Sequence, residues 1–239
     1  MDLTLQDREE FQSRGLLRLK RLIPVRRTKL AKDAIVAELV RLGARVDGKW
    51  HRSRFPHQLR HQSQFDAVLP AGLPKYLNEL AGHRLFPAQQ HPQVLLTPPQ
   101  GTTWTLPHLG WHLDVGPAIQ NDVSGIQVFA LLDTVEPRGG GTLAITGSHR
   151  LHRRQSGAVL NAHQVLKTDP SYSALYSPNP SDRQRFFKSQ MVCGVVVQVV
   201  EMCGDAGDVY LMDMRTVHAA APNAAKNPRM MLTSRHLKS

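Results

Sequence analysis

The chain has 239 residues, 41% hydrophobic and 21% charged, enough for one large domain or two small ones of ordinary globular make-up. No apolar run approaches the ~20 residues of a membrane helix, and the charged start MDLTLQDREEFQSRG lacks the apolar stretch of a secretory signal. The expectation is therefore a cytoplasmic protein with no membrane partner. Two cysteines, Cys193 and Cys203, are too few for a disulfide framework and too widely spaced for a zinc knuckle, so both are expected as small buried apolar residues.

In chain order, residues 4–13 are predicted as a helix. Thr4 stands at the N-cap, Asp7, Glu9 and Glu10 in the early turns, and Gly15 closes it. A short extended piece, LLRLKRLIP, follows. Residues 28–42 carry Leu30, Ile35, Val36, Leu39, Val40 and Leu42 at helical spacing, ended by Gly43. Residues 45–70 are polar and read as loop, and residues 74–85 as a further helix. After Pro92 the chain turns to short β-rich runs at 93–97, 110–115, 125–135, 141–146, 192–202, 208–212 and 229–236, separated by Gly, Pro, Asn and Asp. Helices first and strands after describe an α+β chain, mainly β, with a helical layer packed on an antiparallel sandwich or barrel. One domain is expected over 1–239: a helical part over 1–90, then a β core over 91–239. The polar, Pro-containing segment 151–190 interrupts that core and is expected to serve as a lid.

Within this pattern GWHLD sets His112 and Asp114 two apart on a predicted strand, so their side chains share a face. GDVYLMDMRTVHAAAPN supplies His218 just after another strand. Two histidines and one carboxylate occupy one face of an octahedron and leave three positions exchangeable, the arrangement of iron(II) oxygenases. Two of those positions suit a 2-oxo acid and the third suits O2. Arg229, eleven residues after His218 at the start of the last strand, offers a fork for a carboxylate.

WHLD, GGGTLAITGSHR, GDVYLMDMRTVHAAAPN and Arg229 together resemble the phytanoyl-CoA dioxygenase family, and REEFQSRGLLRLKRLIP resembles its N-terminal helix and first strand. The resemblance implies a double-stranded β-helix (jelly-roll, cupin-like) core with the N-terminal helices packed on one sheet. It also implies Fe(II), 2-oxoglutarate and O2 as requirements, with succinate and CO2 released. By the same resemblance His112, Asp114 and His218 are the iron ligands and the catalytic centre. Arg229 is the 2-oxoglutarate clamp, and Gln93 a polar contact to co-substrate or substrate. Family members often carry a Trp sixteen residues after the Asp and a Ser two after the second His. Ala130 and Ala220 stand there instead, which predicts a roomier pocket. Related halogenases replace the carboxylate by Ala or Gly, so Asp114 excludes that chemistry.

The expected reaction is hydroxylation of a small anionic metabolite, such as an amino acid, a carboxylic acid, or an acyl group on CoA or a carrier. Arg153, Arg154, Arg183 and Arg185 are candidates to meet the anion. The +11 charge also suits a nucleic-acid demethylase, with Arg235 six residues after Arg229, but RMMLTSR lacks that group's Asn and the basic clusters lack interleaved aromatics. A non-catalytic binding protein on the same scaffold is the remaining rival. His108 and His112, four apart, do not make a helical zinc pair because Pro107 and Gly110 oppose a helix. His149 is read as structural, closing a turn; His236 as a residue of the last strand; and His51, His57 and His61 as solvated.

Overall fold

The computed structural model describes residues 2–56, 59, 62–101, 103–115, 122–151, 153–155, 158–178 and 182–238. Helix α1 (Leu5–Arg14) begins where the Asp7 N–H donates to Thr4 Oγ1 at 3.1 Å and the Thr4 N–H donates back to the Asp7 carboxylate at 2.8 Å. It ends at Gly15 with φ 66°. A Cβ there would sit 2.4 Å from His149 Nδ1, so both the left-handed turn and the close approach require glycine. Strand β1 (Leu16–Leu19) follows directly. Helix α2 (Val25–Arg41) starts earlier than the predicted Thr28: Pro24 precedes it with φ −57°, and Thr28 is a buried interior residue whose hydroxyl donates to the Val25 carbonyl at 2.9 Å.

Residues 45–70 depart from the loop expectation. They contain the hairpin β2 (Arg45–Val46) and β3 (Lys49–Trp50) and two short 3-10 turns, and they bury Leu59, Phe65 and Val68 against the helices. Three apolar residues scattered through polar sequence have no periodicity to reveal this. Helix α3 (Leu73–Ala81), with Pro74 in its first turn, stops at Gly82 instead of reaching Leu85. No described helix is long and apolar enough to cross a membrane.

Two antiparallel sheets form the core. The larger contains β4 (Phe86–Pro87), β5 (Gln93–Thr97), β6 (Gly125–Leu131), β12 (Val209–Asp213) and β14 (Arg229–Leu237). Its order is β1-β12-β6-β14-β4, with β5 also paired to β14. The smaller runs β10-β11-β7-β13, from β7 (Leu143–Thr146), β10 (Gln190–Val192), β11 (Val195–Glu201) and β13 (His218–Ala219). Alternation along the strands sorts the side chains into layers. Ile126, Val128, Ala130, Met230 and Leu232 pack outward on the helices with Phe11, Ile35 and Leu77. Phe129, Leu131, Met212 and Met231 point inward and meet Ala144 and Met202. This is the double-stranded β-helix expected from the sequence, with helices on one sheet.

The segment 151–190, expected to serve as a lid, has structure of its own. It holds the hairpin β8 (Arg153–Gln155) and β9 (Ala158–Leu160) and the capped helix α4 (Ala162–Thr168). It also buries Leu166, Tyr172, Leu175 and Phe186 on the outer face of the smaller sheet, against Leu143, Ile145, Val197 and Val199. Its apolar residues are few but fall at one face, so a polar composition still yields a packed fourth layer. Cys193 also departs from expectation: it is exposed, with φ 47° followed by Gly194 at φ 77°, the two-residue turn between β10 and β11. Cys203 is half-buried, and burial beside Glu201 pushes its thiol up to about 12.

Asp208, 1% exposed, ties β1 to the start of β12. It accepts from Arg18 Nε at 2.9 Å, from the Arg21 N–H at 2.8 Å and from the Asp205 N–H at 3.0 Å. Asp208→Ala leaves four donors, Arg18 Nη2 among them, without their acceptor and is expected to lower stability by about 3 kcal/mol in denaturant unfolding. Phe186→Ala is expected to cost about 3–5 kcal/mol. It should shift the single cooperative transition of the whole chain; a loss confined to an early transition would show the 151–190 layer to be a loosely attached lid.

Candidate functional site

The GWHLD segment does not form the predicted strand. Gly110, at φ 83°, breaks the extended run, and His112 makes only an isolated antiparallel bridge to His218. In it the His112 N–H donates to the His218 carbonyl at 2.9 Å and the His218 N–H donates back at 3.0 Å. That pair, closed by two backbone bonds, holds the imidazoles side by side with ring centroids 4.2 Å apart. The convergence of the site therefore comes from a pair of residues distant in the sequence, with Asp114 brought in by the turn that follows.

His112, Asp114 and His218 each offer a ligand atom within 4.8 Å of the others. Both rings use Nδ1 on the backbone. His112 Nδ1 lies 2.8 Å from the Gly110 carbonyl and His218 Nδ1 lies 3.1 Å from that of Thr216. A carbonyl accepts only from N–H, so each neutral ring carries its proton on Nδ1 and presents the Nε2 lone pair to the centre. There the two Nε2 atoms face the Asp114 oxygens at 3.8 and 3.7 Å. Lone pairs aimed at a carboxylate repel, and a cation between them removes the conflict. The donor set fits a borderline divalent metal such as Fe(II). His218, buried and beside His112, has its pKa pushed down to about 4 and stays neutral, ready to ligate. Asp114 and His218 are 12% and 5% exposed and His112 is 52% exposed, so access to the centre is from the His112 side.

Arg235 completes the cluster: its Nε donates to Asp114 Oδ2 at 3.0 Å. Sequence reasoning considered Arg235 only as part of a rival motif, although its even spacing from Arg229 on β14 already places both on one face. That face, through Arg229, Met231, Thr233 and Arg235, is the inward one. Arg229 lies at its far end, six residues and about 20 Å along the strand from Arg235. It is 6% exposed, donates through Nε to the Gly140 carbonyl at 2.8 Å and through Nη1 to that of Leu95 at 3.1 Å, and burial pushes its pKa down to about 10. Among the described residues no carboxylate forms an ion pair with it.

Gln93 pairs with Thr233 and Gln127 with Arg235, so both stand on this same inner row. Gln127 Nε2 donates to Thr233 Oγ1 at 3.1 Å. Ala130 does not affect the pocket as expected: it faces the helices, where its missing bulk enlarges nothing near the metal residues. Ala220 is exposed just past His218.

Two of the candidate arginines of 151–190 are otherwise engaged. Arg183 donates to the carbonyls of Leu106 and of Ser177, the latter at 2.6 Å, and Arg185 to that of Ser171 at 3.1 Å. Arg153 and Arg154 lie on β8. Arg183 thus braces the segment leading to His112. His149 is structural as read: buried, its Nε2 donates to the Gln12 carbonyl at 3.0 Å. His236 is buried beside Ser234 and His51 is exposed, while His57 and His61 fall outside the described residues.

Comparison with known proteins bears on the fold and the family. No curated protein sequence matches the chain. Among solved structures it resembles AviO1 from Streptomyces viridochromogenes Tue57, at 18% identity and a TM-score of 0.61 over 99% of this chain and 97% of that one. It resembles equally SnoK, a non-heme alpha ketoglutarate dependent carbocyclase from nogalamycin biosynthesis, at 18% identity and 0.61 over 99% and 85%. EvdO2 from Micromonospora carbonacea var. aurantiaca, complexed with 2-oxoglutarate, aligns at 16% identity and 0.61 over 100% and 92%. At these identities the likeness shows the fold. The family model for phytanoyl-CoA dioxygenase matches residues 42–231, taking in the smaller sheet, part of the larger one, His112, Asp114, His218 and Arg229, and the chain belongs to that family of Fe(II)- and 2-oxoglutarate-dependent oxygenases.

Proposed function

Within this family, we propose that the chain hydroxylates an unactivated C–H bond of a small anionic metabolite, with His112, Asp114 and His218 holding Fe(II) and Arg229 binding the far carboxylate of 2-oxoglutarate. The observation that carries the reading is the convergence of two Nε2 lone pairs and a carboxylate within 4.8 Å, an arrangement that repels itself without a cation. Arg229 supports the co-substrate: a buried guanidinium on the inward face, bonded to two carbonyls and, among the described residues, to no carboxylate, suits an incoming carboxylate. Gln93 and Thr233 line the path between the two ends.

When bound, the iron supplies O2 activation coupled to decarboxylation of 2-oxoglutarate to succinate and CO2. The chain's own part is positioning. The Gly110 and Thr216 carbonyls fix the imidazole tautomers, Arg229 sets the depth of the co-substrate, and Met231, Phe129 and Ala144 keep the interior apolar. The likeness to SnoK, a carbocyclase of nogalamycin biosynthesis, favours a metabolite over a nucleic acid as substrate. The +11 charge favours an anion, taken by groups other than Arg183 and Arg185, whose donors are spent on carbonyls. Residues 1–239 act as one catalytic unit in this reading.

Anaerobic titration of the protein with Fe(II) and then 2-oxoglutarate is expected to raise a metal-to-ligand charge-transfer band. His218→Ala should abolish it; no band in the unaltered protein, or an unchanged band in the variant, defeats the reading. Arg229→Gln is expected to keep the iron while weakening 2-oxoglutarate at least about thirty-fold, the cost of removing a buried charge partner. Equal 2-oxoglutarate affinity in that variant would remove Arg229 from the site.

A further inference from the structure

We propose that Arg235 is a positioning residue of the metal centre, binding one oxygen of Asp114 so that the carboxylate meets the metal through its other oxygen alone. The proposal rests on the iron-site reading above and adds a coordination mode to it. Both Asp114 oxygens face an imidazole, Oδ1 that of His112 at 3.8 Å and Oδ2 that of His218 at 3.7 Å, but Oδ2 alone accepts from Arg235 Nε, at 3.0 Å, which leaves Oδ1 the oxygen without a guanidinium partner. Carboxylates ligate metals through one or both oxygens, and the choice has a consequence here. A six-coordinate ion with two imidazoles and one carboxylate oxygen keeps three positions open, two for a 2-oxo acid and one for O2. A second carboxylate oxygen would close one of them.

The backbone gives Arg235 the rigidity this role needs. It sits near the end of β14, in register with Gln127 of β6, whose side chain is itself held by Thr233 one step along the same face. Asp114, by contrast, stands in the irregular turn after the His112 bridge, with no regular strand to orient it. An arginine from the sheet therefore supplies the orientation that the turn lacks. A purely stabilising ion pair is the weaker account: the Arg235 side chain is 30% exposed, and partly solvated pairs contribute little to stability.

The test uses Arg235→Gln, Arg235→Met and Arg235→Lys in the full chain, with Fe(II) affinity, the thermal midpoint and anaerobic 2-oxoglutarate titration of the iron-loaded protein measured for each. Gln and Met are expected to weaken 2-oxoglutarate about ten-fold or more and to reduce the charge-transfer band, with thermal midpoints near that of the unaltered protein. Lys, which keeps a charged donor, is expected to recover most of the affinity and the band. Met preserves the packed stem and so decides the matter if Gln fails to fold. Unaltered 2-oxoglutarate affinity and band in Gln or Met, or a Lys variant as weak as Met, would overturn the proposal. Absence of the band in the unaltered protein would instead overturn the iron-site reading itself.

Discussion

The register of β14 is the constraint on which the site depends. Its nine residues are held on both sides, by β5 through Arg229–Thr233 and by β6 through Met231–Leu237. A slip by one residue would exchange its two faces. Arg229 and Arg235 would then turn into the helix-packed layer, and Met230 and Leu232 into the barrel. Two arginines are tolerable on the inner face because each has a specific acceptor: a pair of carbonyls at one end and Asp114 at the other. Burial of Leu232 and Met230 under the helices therefore fixes where the charged residues must point.

The layers on either side extend this constraint outward. The N-terminal helices cover the larger sheet, and the 151–190 segment covers the smaller one and braces, through Arg183, the loop that leads to His112. Trp111 packs in that outer layer with Leu166 and Phe186 while its neighbour His112 bonds to His218. The loop carrying two metal-binding candidates is thus clamped from outside by apolar packing and from inside by a backbone pair. The segment expected as a lid thus shares a buried cluster with Trp111, the residue next to His112.

Much of this was legible in the chain. The helix cap at Thr4, most of the β runs after Pro92, and the grouping of His112, Asp114 and His218 could be read from residue type and spacing. What was not legible depends on partners distant in sequence. GWHLD reads as a strand by alternation, but extended backbone becomes a strand only when another pairs with it along its length, and here only His112 is paired. The parity of Ala130 could not be fixed before the register of β6 was known. Residues 45–70 and 151–190 hide their buried residues because irregular segments pack without a period. Arg235 was visible as a residue, but its acceptor lies 121 positions earlier in the chain.

Glu201 shows how the chain keeps Arg229 available. It is the carboxylate whose field Arg229 feels, and it is half-buried like the guanidinium's surroundings, yet it does not pair with it. Its oxygens are taken instead by the N–H groups of Arg138 at 2.7 Å and Gly141 at 3.1 Å, in the turn whose Gly140 carbonyl holds Arg229 Nε. Had Glu201 bonded Arg229 directly, the pair would have been neutral and complete, and an incoming carboxylate would have had to displace an internal one. Bound to two carbonyl dipoles, the guanidinium remains a buried cation still lacking an anion, a state that costs several kcal/mol relative to one fully paired. In the proposed reading a dicarboxylic co-substrate would meet that deficit. The same turn that binds Glu201 therefore both orients Arg229 and leaves it, among the described residues, without a paired carboxylate.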